Sequence, residues 1–106
     1  VERDFTDVRD AVKAYHLIAL NAKPGTVYNL CSGKAYKLID LLNFLLSLTK
    51  EDVKIKIDES RFRPADLPVM LGDNSKIIKE INWIPTIDIH KTLEDMLNYW
   101  RAYERE

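Results

Sequence analysis

The stretch Arg61-Phe62-Arg63-Pro64-Ala65-Asp66-Leu67-Pro68 leaves the backbone few choices. Pro64 and Pro68 fix φ and drive the residues before them, Arg63 and Leu67, away from helix toward extended conformations. Arg61 and Arg63 lie two positions apart, so in an extended segment they point the same way. Asp66 follows Arg63 by three residues and brings hydrogen-bond acceptors that an arginine lacks. A stiff extended loop with arginine and a carboxylate suits a ligand that carries a diphosphate and a sugar hydroxyl pair. A surface loop closed by an Arg–Asp ion pair is the other reading. The octapeptide alone fits both.

The rest of the chain narrows the setting. At 106 residues it is one small domain, residues 1–106, or a piece of a larger protein. Hydrophobic residues at 46% and charged residues at 31% argue for a packed globular chain and against disorder. A net charge of −1 provides no global field for nucleic acid or a membrane surface, so any anion site has to be local. Cys31 is the sole cysteine, which excludes an internal disulfide and fits a reducing, cytoplasmic setting. No Cys/His cluster has metal-ligand spacing. The apolar run Leu41 to Leu48 is too short to cross a bilayer. Structure-like sequence begins at Val1, a non-methionine, and so reads as a fragment.

In chain order, Val1 to Thr6 is expected to be extended and to lead into a helix. Asp7 is its cap, and Asp10 is at N3, where a carboxylate favours the helix dipole. Val8, Ala11, Val12, Tyr15, Ile18 and Ala19 recur at helical spacing. Lys23-Pro24-Gly25-Thr26 reads as a type II turn, Thr26 to Cys31 as a strand, and Ser32-Gly33-Lys34 as a break. A second helix is expected from Tyr36 or Lys37, with Leu38, Leu41, Leu42, Leu45 and Leu48 as its buried stripe. Val53, Ile55 and Ile57 alternate with polar residues as a half-buried strand does. Val69-Met70-Leu71 is a very short strand, and Asp73 or Asn74 caps a short helix to Ile81. Trp83-Ile84-Pro85 is a break with an aromatic anchor. A last helix, capped by Asp88, presents Leu93, Met96, Leu97 and Trp100 and frays into the tail from Arg101. The sum is an α+β chain of about four helices and two or three short strands.

No catalytic machinery is visible. Gly25, Gly33 and Gly72 are too scattered for a dinucleotide fingerprint or a P-loop, and no GxSxG or HExxH occurs. His16 and His90 read as helix-surface residues, Cys31 as a small core residue, Trp83 and Trp100 as packing anchors, and Lys54 and Lys56 as a solvated strand face. Arginine forms bidentate bonds to phosphate, so Arg3, Arg61 and Arg63 are the anion-site candidates. An ion pair of Arg3 with Asp7 or Asp10 is the structural alternative.

Taken together, Arg3-Asp4-Phe5-Thr6-Asp7-Val8-Arg9-Asp10, Tyr28-Asn29-Leu30-Cys31-Ser32-Gly33, Arg63-Pro64-Ala65-Asp66-Leu67-Pro68, Gly72-Asp73-Asn74-Ser75-Lys76 and Trp83-Ile84-Pro85 carry a resemblance. Their order resembles the C-terminal part of the extended short-chain dehydrogenases/reductases acting on nucleotide sugars, in particular the GDP-mannose 4,6-dehydratase and GDP-4-keto-6-deoxy-mannose reductase group. The final Leu93 to Arg101 is similar to that group's last helix. The resemblance implies an α+β C-terminal domain whose N-terminal Rossmann domain, absent here, holds NADP or NAD and the catalytic Ser/Thr, Tyr and Lys. It also implies that Arg3 and Arg63 contact the substrate diphosphate and that Asp66 holds the nucleotide ribose. No catalytic, cofactor-binding or metal-binding residue is expected in this chain, nor a cofactor of its own.

The chain by itself is then expected to bind a nucleotide sugar, GDP-mannose or GDP-4-keto-6-deoxy-mannose, without turning it over. A UDP- or dTDP-sugar epimerase or dehydratase shares the same arginines. A stand-alone helical interaction module, its arginines meeting a protein carboxylate, is the reading from a different class. Exposed apolar residues where the Rossmann domain would rest, and self-association to cover them, are expected of a fragment.

Overall fold

A computed structural model of the chain describes residues 1–58, 60 and 68–104. Along the sequence it has β1 (Glu2–Asp4), α1 (Val8–Asn21), β2 (Ala35–Lys37), α2 (Leu38–Ser47), β3 (Val69–Met70), α3 (Ser75–Ile81) and α4 (Ile89–Glu104). The three strands form one small sheet in the order β2-β1-β3. β1 runs antiparallel to β2, with Arg3 opposite Tyr36, and parallel to β3, with Arg3 opposite Met70. Strands this short contribute few ladder bonds, so loops and side chains have to hold the sheet together.

Local chemistry sets most element ends. Asp7 caps α1 by accepting from the Arg9 amide at 2.8 Å. Asp88 does the same for the His90 amide at the start of α4, whereas at α3 the N-cap residue Asn74 makes no side-chain cap bond and Asp73, one residue before it, accepts from the Ser75 amide. Asn82, in the left-handed region at φ 60°, closes α3. The Lys23-Pro24-Gly25-Thr26 turn has Gly25 at φ 81° and a Thr26 N–H to Lys23 carbonyl bond of 3.2 Å, as a type II turn requires. α2 begins at Leu38, after Lys37, with no side-chain cap.

Two small clusters form the core. Ala14 of α1, Ile77 and Ile81 of α3 and Trp83 bury one another, with Leu17, Ile18, Tyr28 and Leu30 packed around them. The indole N–H of Trp83 donates to the Asp10 carbonyl at 2.9 Å, so the largest buried ring has its polar group satisfied. α2 packs on α4, where Leu41 and Ile89 are buried, and the Phe44 and His90 rings meet at a 45° tilt with centroids 4.4 Å apart. Arg101 donates to the Leu48 carbonyl at 2.8 Å, satisfying a backbone group left over at the end of α2.

Several expectations need correcting. Among the described residues Thr26–Cys31 and Val53–Ile57 join no ladder, and Val53, Ile55 and Ile57 are exposed. The break at Ser32-Gly33-Lys34 is present, with Gly33 at φ 76°, but β2 follows it at Ala35–Lys37, where a helix start is expected, because these residues pair with β1. α4 does not fray at Arg101 but continues to Glu104, anchored by that arginine. Trp100 is no buried anchor: it lies 53% exposed, edge-on to Tyr99 and Tyr103. Leu38 and Leu42 fall outside the buried stripe of α2.

The α1 stripe read from periodicity is the most informative departure. Val8, Val12 and Tyr15 are 72%, 57% and 64% exposed, while Asp10 and Ala14 face the core. α1 therefore carries two apolar sides, one packed on α3 and one open. The radius of gyration, 17.0 Å, exceeds the roughly 13 Å of a compact chain this long, and the shortest dimension is 19 Å. The result is a slab about two elements thick with one apolar side uncovered.

Candidate functional site

The site is built around β1. Arg3 lies between Tyr36 and Met70 in register, so the three side chains leave the same face of the sheet. Its guanidinium donates to the Glu2 carbonyl at 2.8 Å. The Glu2 N–H donates in turn to the Pro68 carbonyl, also at 2.8 Å. Pro68 ends the proline-bounded stretch, so the residue before Arg3 is bonded directly to the end of the segment that carries the other candidates. Arg63 and Asp66 lie outside the described residues, as does Arg61.

Asp7 and Asp10, the alternative partners for Arg3, are engaged elsewhere. Asp7 takes a two-pronged contact from the Arg9 guanidinium at 3.0 and 2.8 Å and the Thr92 hydroxyl at 2.6 Å. The Arg9 hydrogen bonds hold its carboxyl well below the usual carboxylate range, against the upward push of burial. Asp10 accepts from the Thr86 and Ile87 amides at 3.1 and 2.9 Å and from the Thr86 hydroxyl at 3.1 Å, tying α1 to the loop after Trp83.

Asp4 is the residue that sequence reasoning passed over. It accepts from the Ser32 amide and hydroxyl, the Gly33 amide and the Gly72 amide. Burial raises its pKa, but these bonds outweigh burial and leave it below the ordinary value. Tyr36 was missed because β2 was missed. Burial, with Asp88 and Asp4 nearby, pushes its hydroxyl pKa up, so it remains a neutral donor. It lines a groove of about 180 Å³ with Phe5, Asp7, Ser32, Lys34 and Thr92.

Burial and the charge of Asp4 raise the Cys31 thiol pKa, and the half-buried side chain sits beside Gly72 as packing. His16 is exposed, and His90 rests on Phe44. Among the described residues no His, Cys, Asp and Glu group is placed to hold a metal, and no helix is long and apolar enough to cross a membrane. The starts of α1, α3 and α4 are closed by Asp7, Asp73 and Asp88, whose charge disfavours a dinucleotide pyrophosphate there.

Four helices and a small three-strand sheet form part of the fold of a larger short-chain dehydrogenase/reductase enzyme. The profile of the family described as GDP-mannose 4,6 dehydratase matches residues 1–96, and the chain belongs to that family. It is 32% identical over 106 residues to GDP-6-deoxy-D-mannose reductase of Pseudomonas aeruginosa, covering all of this chain and 35% of that protein. A solved structure of RMD from Pseudomonas aeruginosa, complexed with NADPH, superposes with a TM-score of 0.87 at 30% identity, covering 97% of this chain and 33% of that one. UDP-arabinose 4-epimerase 1 of Arabidopsis thaliana is 35% identical over 102 residues, 93% of this chain and 23% of that protein. The chain thus spans about a third or less of the length of these relatives.

Proposed function

We propose that the chain is the C-terminal, substrate-binding part of an enzyme of GDP-deoxyhexose biosynthesis, a dehydratase or reductase, and that it binds a nucleotide sugar. Arg3 and Arg63 clamp the diphosphate, and Asp66 accepts from the ribose hydroxyls. The observation that carries this reading is the Glu2–Pro68 bond, which ties the strand bearing Arg3 to the end of the stretch bearing Arg63 and Asp66. Two arginines on one diphosphate provide charge and fixed geometry together. By fixing the phosphates they orient the sugar, which is a contribution to catalysis through position.

The exposed side of α1 supports the second half of the proposal. Val8, Val12 and Tyr15 form an apolar stripe that an NAD(P)-binding Rossmann domain would cover, and that domain would supply the catalytic residues. The cofactor then belongs to that domain, consistent with aspartates at three of this chain's helix starts. The chain alone would be inactive, and the whole enzyme cytoplasmic. The relatives include a GDP-sugar reductase and a UDP-sugar epimerase by name, so the base is part of the test.

Calorimetric and thermal-shift titration with GDP, GDP-mannose and UDP, on the chain and on Arg63→Ala, tests the reading. Saturable stabilisation by the guanine nucleotides, lost in the variant, is expected. A stronger response to UDP would move the substrate to the uridine class. No response from the folded chain, and none after a relative's Rossmann domain is joined to it, would leave the interaction-module reading.

A further inference from the structure

We propose that the Tyr36 hydroxyl and the Lys34 ammonium are further phosphate contacts beside Arg3; the inference rests on the nucleotide-sugar reading above. One face of the small sheet then presents a guanidinium, a phenol and an ammonium to the diphosphate. The pairing of β1 with β2 supplies the geometry. Arg3 and Tyr36 are direct cross-strand partners. Side chains paired in this way leave the same face, with Cβ atoms roughly 5 Å apart. Lys34, two residues before Tyr36, lines the same groove of about 180 Å³.

The other polar side chains of that groove are already committed. The Ser32 hydroxyl donates to Asp4, the Thr86 hydroxyl to Asp10 at 3.1 Å and the Thr92 hydroxyl to Asp7 at 2.6 Å. Asp7 is paired with the Arg9 guanidinium 2.8 Å away, and Asp88 accepts from the His90 amide at 3.0 Å. Tyr36 and Lys34 stand apart: among the described residues neither the phenol nor the ammonium has a hydrogen-bond partner. A half-buried hydroxyl in that condition is uncommon, because its desolvation is not offset by an internal bond. A ligand oxygen in the groove would satisfy it. Ionised phosphate offers only acceptors and a negative charge, which matches a cation and a phenol that burial keeps protonated. A neutral sugar ring would leave the Lys34 charge without a counterpart.

The experiment titrates GDP and inorganic pyrophosphate calorimetrically into the chain and into Tyr36→Phe, Lys34→Gln and Tyr28→Phe, each checked for folding by circular dichroism. Tyr36→Phe removes an oxygen that makes no internal bond, so its Tm is expected to match the parent's. It should weaken both ligands about tenfold, within the range of a hydrogen bond to a charged group. Lys34→Gln should weaken both and flatten the dependence of their affinity on sodium chloride. Tyr28→Phe loses a hydroxyl that donates to Glu80 of α3 at 3.2 Å, and should change neither affinity. Unchanged pyrophosphate affinity in Tyr36→Phe or in Lys34→Gln, or an equal loss in Tyr28→Phe, overturns the proposal. If Tyr36→Phe does not fold, Lys34→Gln decides by the same criterion. Pyrophosphate bound by the chain and weakened in both variants, with GDP not bound at all, would keep these donors and remove the nucleotide-sugar reading. Neither ligand bound, by the chain or after a relative's Rossmann domain is joined to it, overturns both.

Discussion

The indole N–H of Trp83 donates to the main-chain carbonyl of Asp10 across 2.9 Å, with both residues buried. Their bond joins α1 to the turn after α3 at the centre of the larger core cluster. Trp83→Phe removes the donor, strands a buried carbonyl and leaves a void. A loss of about 2–3 kcal/mol in urea unfolding is expected. An undiminished midpoint would show that water or a shifted backbone replaces the bond.

Acid should unfold the chain earlier than its charge balance suggests. The carboxyls of Asp4, Asp7 and Asp95 are all held below their ordinary values, Asp7 chiefly by the Arg9 hydrogen bonds and Asp95 by those of Lys91 and Arg9. A depressed folded pKa contributes stability above the unfolded value of about 3.9 and loses it as pH falls toward the folded value. Stability should therefore decline steadily below about pH 4. Asp7→Asn should be weaker at neutral pH by about 1 kcal/mol, through its cap, and show a shallower acid decline. Parallel declines in the two proteins would refute the assignment.

Gly72 and Cys31 form a tight pair. A Cβ at position 72 would lie 2.5 Å from Cys31 Sγ and 2.7 Å from Cys31 Cβ. Gly72→Ala is expected to cost roughly 1–3 kcal/mol by overpacking. Adding Cys31→Ala removes the sulfur but not the Cβ, so the double variant should recover part of that loss. Strict additivity in thermal melts would mean the two side chains do not meet.

The open side of α1 should make the chain self-associate. Val12→Lys with Tyr15→Lys places charge on the exposed stripe and should shift sedimentation toward monomer. Because neither side chain is buried, the change in folding stability should stay within about 0.5 kcal/mol. A large destabilisation would mean the stripe is covered within the chain itself.

The helices were legible from local chemistry. Asp7, Asp73 and Asp88 mark three helix starts, and the Lys23–Thr26 turn is readable from proline and glycine alone. Motif order carried the family, which the match over residues 1–96 shares. Arg3 was singled out by residue type, and its strand was read correctly as extended.

What remained hidden depends on pairing between distant segments. β2 exists because β1 lies beside it, and no property of Ala35-Tyr36-Lys37 announces that neighbour. The Val53–Ile57 alternation is genuine strand patterning without a ladder partner among the described residues. Asp4 looked like one more charged residue in a motif until its bonds to Ser32, Gly33 and Gly72 were placed. Period and capping are written within a few residues of each element, so sequence alone determined the helices and their apolar stripes. Which stripe is buried, and which carboxylate joins the strands around Arg3, depended on contacts across the fold that only the tertiary structure decided.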